Sequence, residues 1–240
     1  MPKEKSMSSI LTSGCGITFA QQGRPSWTKV LRVCGVEIVD AGGPAVSNEY
    51  ILNNTIKHLS NLQLPVDHVV CQLTGLGKLD IDVHGVPYEH RKQLTHTDAM
   101  RNFIWDGVWP SSTSKTTNMK KEYYKWIYSE RQELENIIIK LSLIEQICKD
   151  KKFPLTILQG YFIPWKNVKS ETYMAMLQAL SFDKNFVIQD YYETTKCYEH
   201  HDSSNGNNLP NKQFAVHFAK KMNKDFLHFD IEHKLEKFHE

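Results

Sequence analysis

Two rhythms of apolar residues alternate along this chain: short runs, and longer stretches in which apolar positions recur every three or four residues. Such alternation is the pattern of an α/β domain with a mainly parallel sheet. The first run, Ser9-Ile10-Leu11-Thr12-Ser13, ends at Gly14-Cys15-Gly16 and predicts a strand. A helix is predicted after Pro25, a residue at home in a first helical turn, with Trp27, Val30, Leu31 and Val33 facing inward. Val36-Glu37-Ile38-Val39 predicts the second strand, closed by Asp40-Ala41-Gly42-Gly43-Pro44. Ser47-Asn48-Glu49-Tyr50 opens a helix that spaces Ile51, Leu52, Thr55, Ile56 and Leu59 along one face. The run Val66-Asp67-His68-Val69-Val70-Cys71-Gln72-Leu73 predicts a third strand at the centre of the sheet.

Residues 74–118 hold turn formers and no clear period, too long a stretch for a plain loop, so they read as a functional or packing insert. Within them Asp80 and Asp82 alternate with Leu79 and Ile81, as in a strand with one wet face. A long helix is predicted over 119–151, with Trp126, Ile127, Leu134, Ile137, Ile138, Leu141 and Ile144 on its apolar face and Glu133, Glu135, Lys140 and Glu145 on its wet one. Further strands are predicted at 153–158 and, shorter, at 186–188. Helices are predicted near 171–180 and over 213–222. Residues 1–225 thus form one domain, and 226–240 an amphipathic helix or tail with Ile231, Leu235 and Phe238 on one face.

At 240 residues the chain is long enough to bury a large core without staples. Twenty-nine Lys+Arg against 27 Asp+Glu leave a charge of +2, too balanced to argue for nucleic acid or an acidic membrane surface. No apolar run approaches the ~18–20 residues of a bilayer span, and the first residues lack the apolar stretch of a signal peptide. Cys15, Cys34, Cys71, Cys148 and Cys197 are odd in number, scattered and free of CxxC spacing. They read as reduced thiols in a cytosol, with no metal site among them.

Several segments carry a resemblance in order. Ile10-Leu11-Thr12-Ser13-Gly14-Cys15-Gly16-Ile17-Thr18-Phe19 resembles the first block of the SGNH/GDSL hydrolases, in the bacteriophage-type form that reads G-C-S-[FI]-T. Trp27 stands where those proteins place an aromatic before the first helix. The segment from Asp40 to Ile51 resembles their N-x-G-x-P-G-x-x-N-x-x-I block, and Val69-Val70-Cys71-Gln72-Leu73-Thr74 their V-V-x-Q-[WL]-T strand. Leu209-Pro210-Asn211, followed by Phe214, Ala215, Phe218 and Ala219, resembles the closing D-x-x-H-P-N block. The resemblance spans almost the whole chain. It implies a three-layer, flavodoxin-like α/β domain with a five-stranded parallel sheet and a cleft beyond the strands' carboxyl ends.

The same resemblance implies a lost triad. The family's serine attacks an acyl carbonyl, its closing histidine takes the proton, and an aspartate three residues earlier orients the ring. Those positions here are Gly16, Leu209 and Gly206, which offer neither nucleophile, base nor orienting carboxylate. On the oxyanion side, Ala45 keeps a backbone N–H and Thr74 a hydroxyl where the family has Gly and Asn. With Gly14, Gly16 and Asn48 these make a candidate anion- or ligand-binding set. A tight turn over an empty cleft is the plain alternative. Losing the serine or histidine of such a triad costs roughly 10⁶ in turnover, leaving about 10³–10⁴ over water.

Replacement chemistry has few candidates. Cys15 adjoins the serine position and can supply a thiolate, but as the neighbouring residue it points elsewhere, where it packs as a small apolar side chain. His200-His201-Asp202 can reach the old site by a loop shift or hold a metal. Adjacent histidines diverge, however, and a solvated loop is the simpler reading. His217 reads as half-buried packing. His84, His90 and His96, near Tyr88 and Arg91, have no ligand spacing, and Tyr123 and Tyr124 form either core or an exposed aromatic contact. Three functions remain open at this point. The first is a catalytically degenerate, phage-encoded protein that binds a small anionic or carbohydrate-type ligand or a protein partner. The second is a working hydrolase or transferase acting on acyl esters of carbohydrates or lipids, using Cys15, His201 or Asp202. The third is a virion structural or assembly component. No cofactor is implied by any of them, and the expected location is the cytoplasm of an infected cell or the virion.

Overall fold

The computed structural model describes residues 8–15, 18, 26–43, 46–61, 66–80, 103–105, 125–194, 198–199, 209–210 and 212–237. Four parallel strands form the main sheet: β1 (Ser9–Ser13), β2 (Glu37–Asp40), β3 (His68–Leu73) and β6 (Leu155–Gln159), in the order β2-β1-β3-β6. Leu11 pairs with Val39 on one side and Val69 on the other, and Cys71 pairs with Ile157. Between β3 and β6, β4 (Lys78–Asp80) and β5 (Phe103–Trp105) make a separate antiparallel ribbon. The helices are α1 (Trp27–Val33), α2 (Asn48–Asn61), α3 (Glu130–Lys151), α4 (Glu171–Ala179), α5 (Ile188–Thr194), α6 (Lys212–Met222) and α7 (Glu232–Glu236). A short ribbon of β7 (Tyr198–Glu199) and β8 (Leu209–Pro210) precedes α6.

Strand period two sorts the core into two layers. Leu11, Val69, Cys71, Leu73 and Ile157 meet Ile51, Leu52, Leu59, Leu134, Ile138 and Leu141 of α2 and α3 on one face. Ile10, Val70 and Leu158 meet Trp27, Leu31, Phe218 and Met222 of α1 and α6 on the other. The result is the expected three-layer α/β domain. Leu227, Ile231 and Leu235 join the second layer, where α7 sends Lys234 Nζ to the Cys34 carbonyl at 2.8 Å, on the last turn of α1.

Three details differ from the sequence reading. Among the described residues the sheet has four strands, not five: 186–188 supplies one parallel bridge, Val187 to Gln159, before the chain turns into α5 at Ile188. The Gln159 side chain donates to the Lys184 carbonyl at 2.7 Å, so a side chain holds this edge where a ladder was expected. Val33 is 67% exposed, because α1 is only two turns long and its last residue rotates past the core. The long helix starts at Glu130, capped by the Ser129 hydroxyl, which accepts from the Gln132 N–H at 3.3 Å. Trp126 and Ile127 lie before that cap and are exposed, not part of its apolar face.

At the amino end of the sheet, His68 Nε2 lies 2.8 Å from the Thr156 hydroxyl. Burial, and then the neighbouring His228, push this imidazole down to about 4. The unfolded ring protonates near 6.5, so stability is whole above that pH and falls on acidification toward 4, by on the order of 3 kcal/mol. Urea denaturation at stepped pH is expected to show that slope in the wild type and a shallower one in His68→Gln. Equal slopes would rule out His68 as the titrating group.

Candidate active site

In a sheet ordered β2-β1-β3-β6, α1 after β1 and α3 before β6 pack on opposite faces, the topology for which the general rule places a ligand site beyond the carboxyl ends of β1 and β3. Gly14 and Cys15 lie at the end of β1, and Thr74 and Gly75 at the end of β3. Gly43 N–H donates to the Gly14 carbonyl at 3.0 Å, which fastens the exit of β2 to this floor.

The floor is held by Gln72, a fully buried amide at the next-to-last residue of β3. Its Oε1 accepts from the Thr18 hydroxyl, and its Nε2 donates to Cys15 Sγ at 3.3 Å. The fit is tight enough to demand glycine on both sides. A Cβ on Gly14 would stand 2.5 Å from Thr18 Oγ1 and 3.0 Å from Gln72 Cβ, and one on Gly160 would stand 2.7 Å from Gln72 Nε2. Cys15 is buried beside Tyr161, whose phenol is pushed up by burial and further by the Cys15 sulfur. Ser13, the last residue of β1, faces the layer of α2 and α3. Its hydroxyl lies 2.6 Å from that of Thr55, which donates to the Ile51 carbonyl at 2.7 Å. Burial pushes the adjacent Cys71 thiol up to about 11 and the Cys148 thiol up to about 12, so both stay protonated at neutral pH.

Asn48 is bound to the backbone of β3's exit. Its Oδ1 accepts from the Thr74 N–H at 2.8 Å and its Nδ2 donates to the Thr74 carbonyl at 3.0 Å. The Ser47 hydroxyl caps α2 by accepting from the Tyr50 N–H at 3.1 Å. The amide therefore fixes the entry of α2 against the end of β3.

Glu133 departs from the sequence reading. It is placed on the wet face by period, yet its carboxylate is half-buried in the first turn of α3. Oε2 accepts from the Gly77 N–H at 2.9 Å and the Tyr128 hydroxyl at 2.9 Å, and the Asn48 amide adds a third contact. Burial nevertheless raises this carboxyl above the usual range, against the pull of those donors.

The remaining sequence candidates are placed as follows. Gly16, Ala45, His201, Asp202, Gly206, His84, His90, His96, Tyr123 and Tyr124 lie outside the described residues. Leu209 is paired with Glu199 in the β7–β8 ribbon. His217 is exposed, not half-buried, and its ring stacks on Tyr191 at 5.7 Å. Among the described residues, no group of three His, Cys, Asp or Glu side chains can hold a metal ion. No helix among them is long and apolar enough to cross a membrane. Gln72 and Glu133 were missed as contributors to the site. A lone amide inside the apolar run 69–73 is a signal for the first, whereas nothing in the sequence separates Glu133 from its solvated neighbours.

Chemically, the described floor offers hydroxyls and a thiol held by amides and by one another. Among the described residues Ser13 has Thr55 and the protonated Cys71 thiol as side-chain partners, and Cys15 and Thr18 share Gln72; none of these partners takes a proton at neutral pH.

No protein-family model and no curated protein matches the chain. Among solved structures, it is similar to a mutant of the esterase AlinE4, at a TM-score of 0.41 and 11% identity over 90% of this chain and 93% of that one. It is also similar to the lipase/acylhydrolase from Enterococcus faecalis, at a TM-score of 0.37 and 13% identity over 92% and 97% of the two chains.

Proposed function

We propose that this protein is a binding module on an SGNH-hydrolase-like scaffold, phage-encoded and without the scaffold's acyl-transfer chemistry. The observation that carries the reading is the occupation of Cys15 and Thr18 by Gln72. The nucleophile-type side chains at the end of β1 face an amide, which orders the floor but does not accept a proton. The sequence adds Gly16, Gly206 and Leu209 at the triad-equivalent positions. The ligand it would take is a small anion or an oxygen-rich group such as a carbohydrate ester. On the resemblance alone, backbone N–H groups at Gly16 and Ala45 would be the donors for it, each contact adding a modest, salt-sensitive increment, while Thr74 is fully buried with its N–H held by Asn48.

Turnover and binding test this together. Purified protein is expected to hydrolyse short acyl nitrophenyl esters only slightly, and Cys15→Ala and His201→Ala are expected to leave that rate unchanged. Acetate or sulfate titrated into labelled protein is expected to shift the amides of Gly14, Gly16 and Ala45, with the shift reduced at high ionic strength. A robust rate abolished by either substitution would establish a working hydrolase. Unmoved amides at high anion concentration would favour a structural role.

A further inference from the structure

The middle of α3 is apolar on its outer side as well as its inner one, a composition suited to a helix covered on both sides. Leu134, Ile137, Ile138, Leu141, Ile144 and Cys148 face the core and are buried. Directly opposite them, a line of exposed residues runs along the helix: Gln132, Asn136, Ile139, Leu143, Gln146 and Asp150. Ile139 is 42% exposed and Leu143 46%. The spacing along the line alternates four and three residues, the seam by which one helix packs against another. The neighbouring helices do not cover it. α2 packs beside α3 through the Lys140–Glu49 ion pair, and α4 packs beside it with Tyr173 near Arg131.

We propose that this outer line of α3 is a dimerisation surface, on which a second copy of the chain seats its own α3 antiparallel, about a two-fold axis level with Leu141. The line is complementary to itself in that register. Ile139 meets the partner's Leu143, and Asn136 meets the partner's Gln146, so apolar faces apolar and amide faces amide. A slip of one heptad either way sets Ile139 against the partner's Asn136 or Asp150 instead. Direction follows from charge. Residues 130–135 hold three Glu and one Arg, and residues 149–152 hold three Lys and one Asp. Antiparallel helices set each acidic end beside the partner's basic end and oppose the two macrodipoles, whereas parallel helices would bring like charges together.

Contacts already made along the helix do not stand in the way. Arg131 pairs with Glu135 at 2.8 Å, Lys149 with Glu145 at 3.5 Å, and Gln146 Nε2 donates to Asp150 at 2.8 Å. These are surface pairs one turn apart, and such pairs exchange partners at little cost. Area sets the strength. α3 has 22 residues and is about 33 Å long, and its outer line carries two apolar side chains per copy. The contact is narrow, below the ~1,200 Å² of a stable interface, so the dimer is weak and exchanging, with a Kd on the order of 100 µM. Nothing in this inference depends on the carboxyl-end crevice being a ligand site.

Sedimentation velocity of the full chain over about a hundredfold range of concentration, up to roughly 1 mM, tests this. The wild type is expected to pass from monomer toward dimer. Leu143→Lys places a charge on the seam and is expected to weaken association about tenfold or more, with Tm unchanged because the site is exposed. Phe162→Lys, at an exposed aromatic off the line, is expected to associate like the wild type. A spin label at Gln132→Cys, with Cys197→Ser and the four buried cysteines left in place, reads the direction without disturbing the seam's centre. The two-fold sets the labelled positions about 27 Å apart along the helices, whereas parallel helices would set them within about 10 Å. A wild type that stays monomeric throughout would leave the line to a different partner and overturn the proposal. So would association undiminished in Leu143→Lys, an equal loss in Phe162→Lys, or labels at the short distance.

Discussion

Trp27→Ala is expected to lower unfolding free energy by about 3–5 kcal/mol, the cost of emptying a large buried site that can only partly collapse. Trp27 is buried between the sheet and α6, with its ring edge-on to Phe218 at 6.0 Å and 78°. It belongs to the layer that joins Ile10 and Val70 of the sheet to Leu31, Phe218 and Met222 of the helices. Among the described residues its buried indole N–H has no hydrogen-bond partner, so that group contributes cost, not stability. Trp27→Phe keeps most of the ring volume and removes the orphan donor. It should therefore cost much less than alanine, about 1 kcal/mol. Urea denaturation of the three proteins measures both differences. A loss below about 1 kcal/mol for Trp27→Ala would contradict the placement of this side chain at the centre of the second layer.

Gly160→Ala is the second large effect, expected at about 3 kcal/mol. The new Cβ would stand 2.8 Å from the Leu73 carbonyl oxygen, which is also the acceptor of the Gly160 N–H at 2.8 Å. That oxygen is backbone at the end of an interior strand, and Gln72 Nε2 closes the other side at 2.7 Å, so neither neighbour can retreat cheaply. Gly75→Ala is the matched control. Its Cβ would meet Tyr161 at an ordinary 3.7 Å, and it should be close to neutral. Thermal unfolding of the pair reads the contrast directly. Equal Tm values would mean that the junction of β3 and β6 is looser than described.

The two layers were legible because alternation in β1 and β3 is a direct consequence of strand geometry. Ile10 and Leu11 must face opposite ways, and they do. The α2 face with Ile51, Leu52, Thr55 and Leu59 was legible for the same reason at helical period. Period alone misled where tertiary contacts compete with it. Trp126 and Ile127 continue the apolar rhythm of α3, but Ser129 caps the helix after them and leaves them outside. Glu133 has the spacing of a solvated residue, yet Gly77 and Tyr128 close over it. The segment 186–188 has strand composition, but a helix beginning at Ile188 allows it only one bridge. Gln72 marks the broader limit. Its burial shows that something polar must meet it, whereas only the folded chain shows that its partners are Thr18 and Cys15.

Intact-mass spectrometry after exposure to a fluorophosphonate probe and, separately, to a rapidly quenched excess of an acyl nitrophenyl ester asks whether an activated nucleophile exists. A working nucleophile is trapped as a covalent adduct of one label per chain, whatever the preferred substrate. With Gln72 holding Cys15 and Thr18, and glycine at position 16, the expected result is an unmodified mass under both treatments, and the same for Cys15→Ala. A stoichiometric adduct in the wild type that disappears in Cys15→Ala, or that maps to any other residue at the end of β1, would contradict the account.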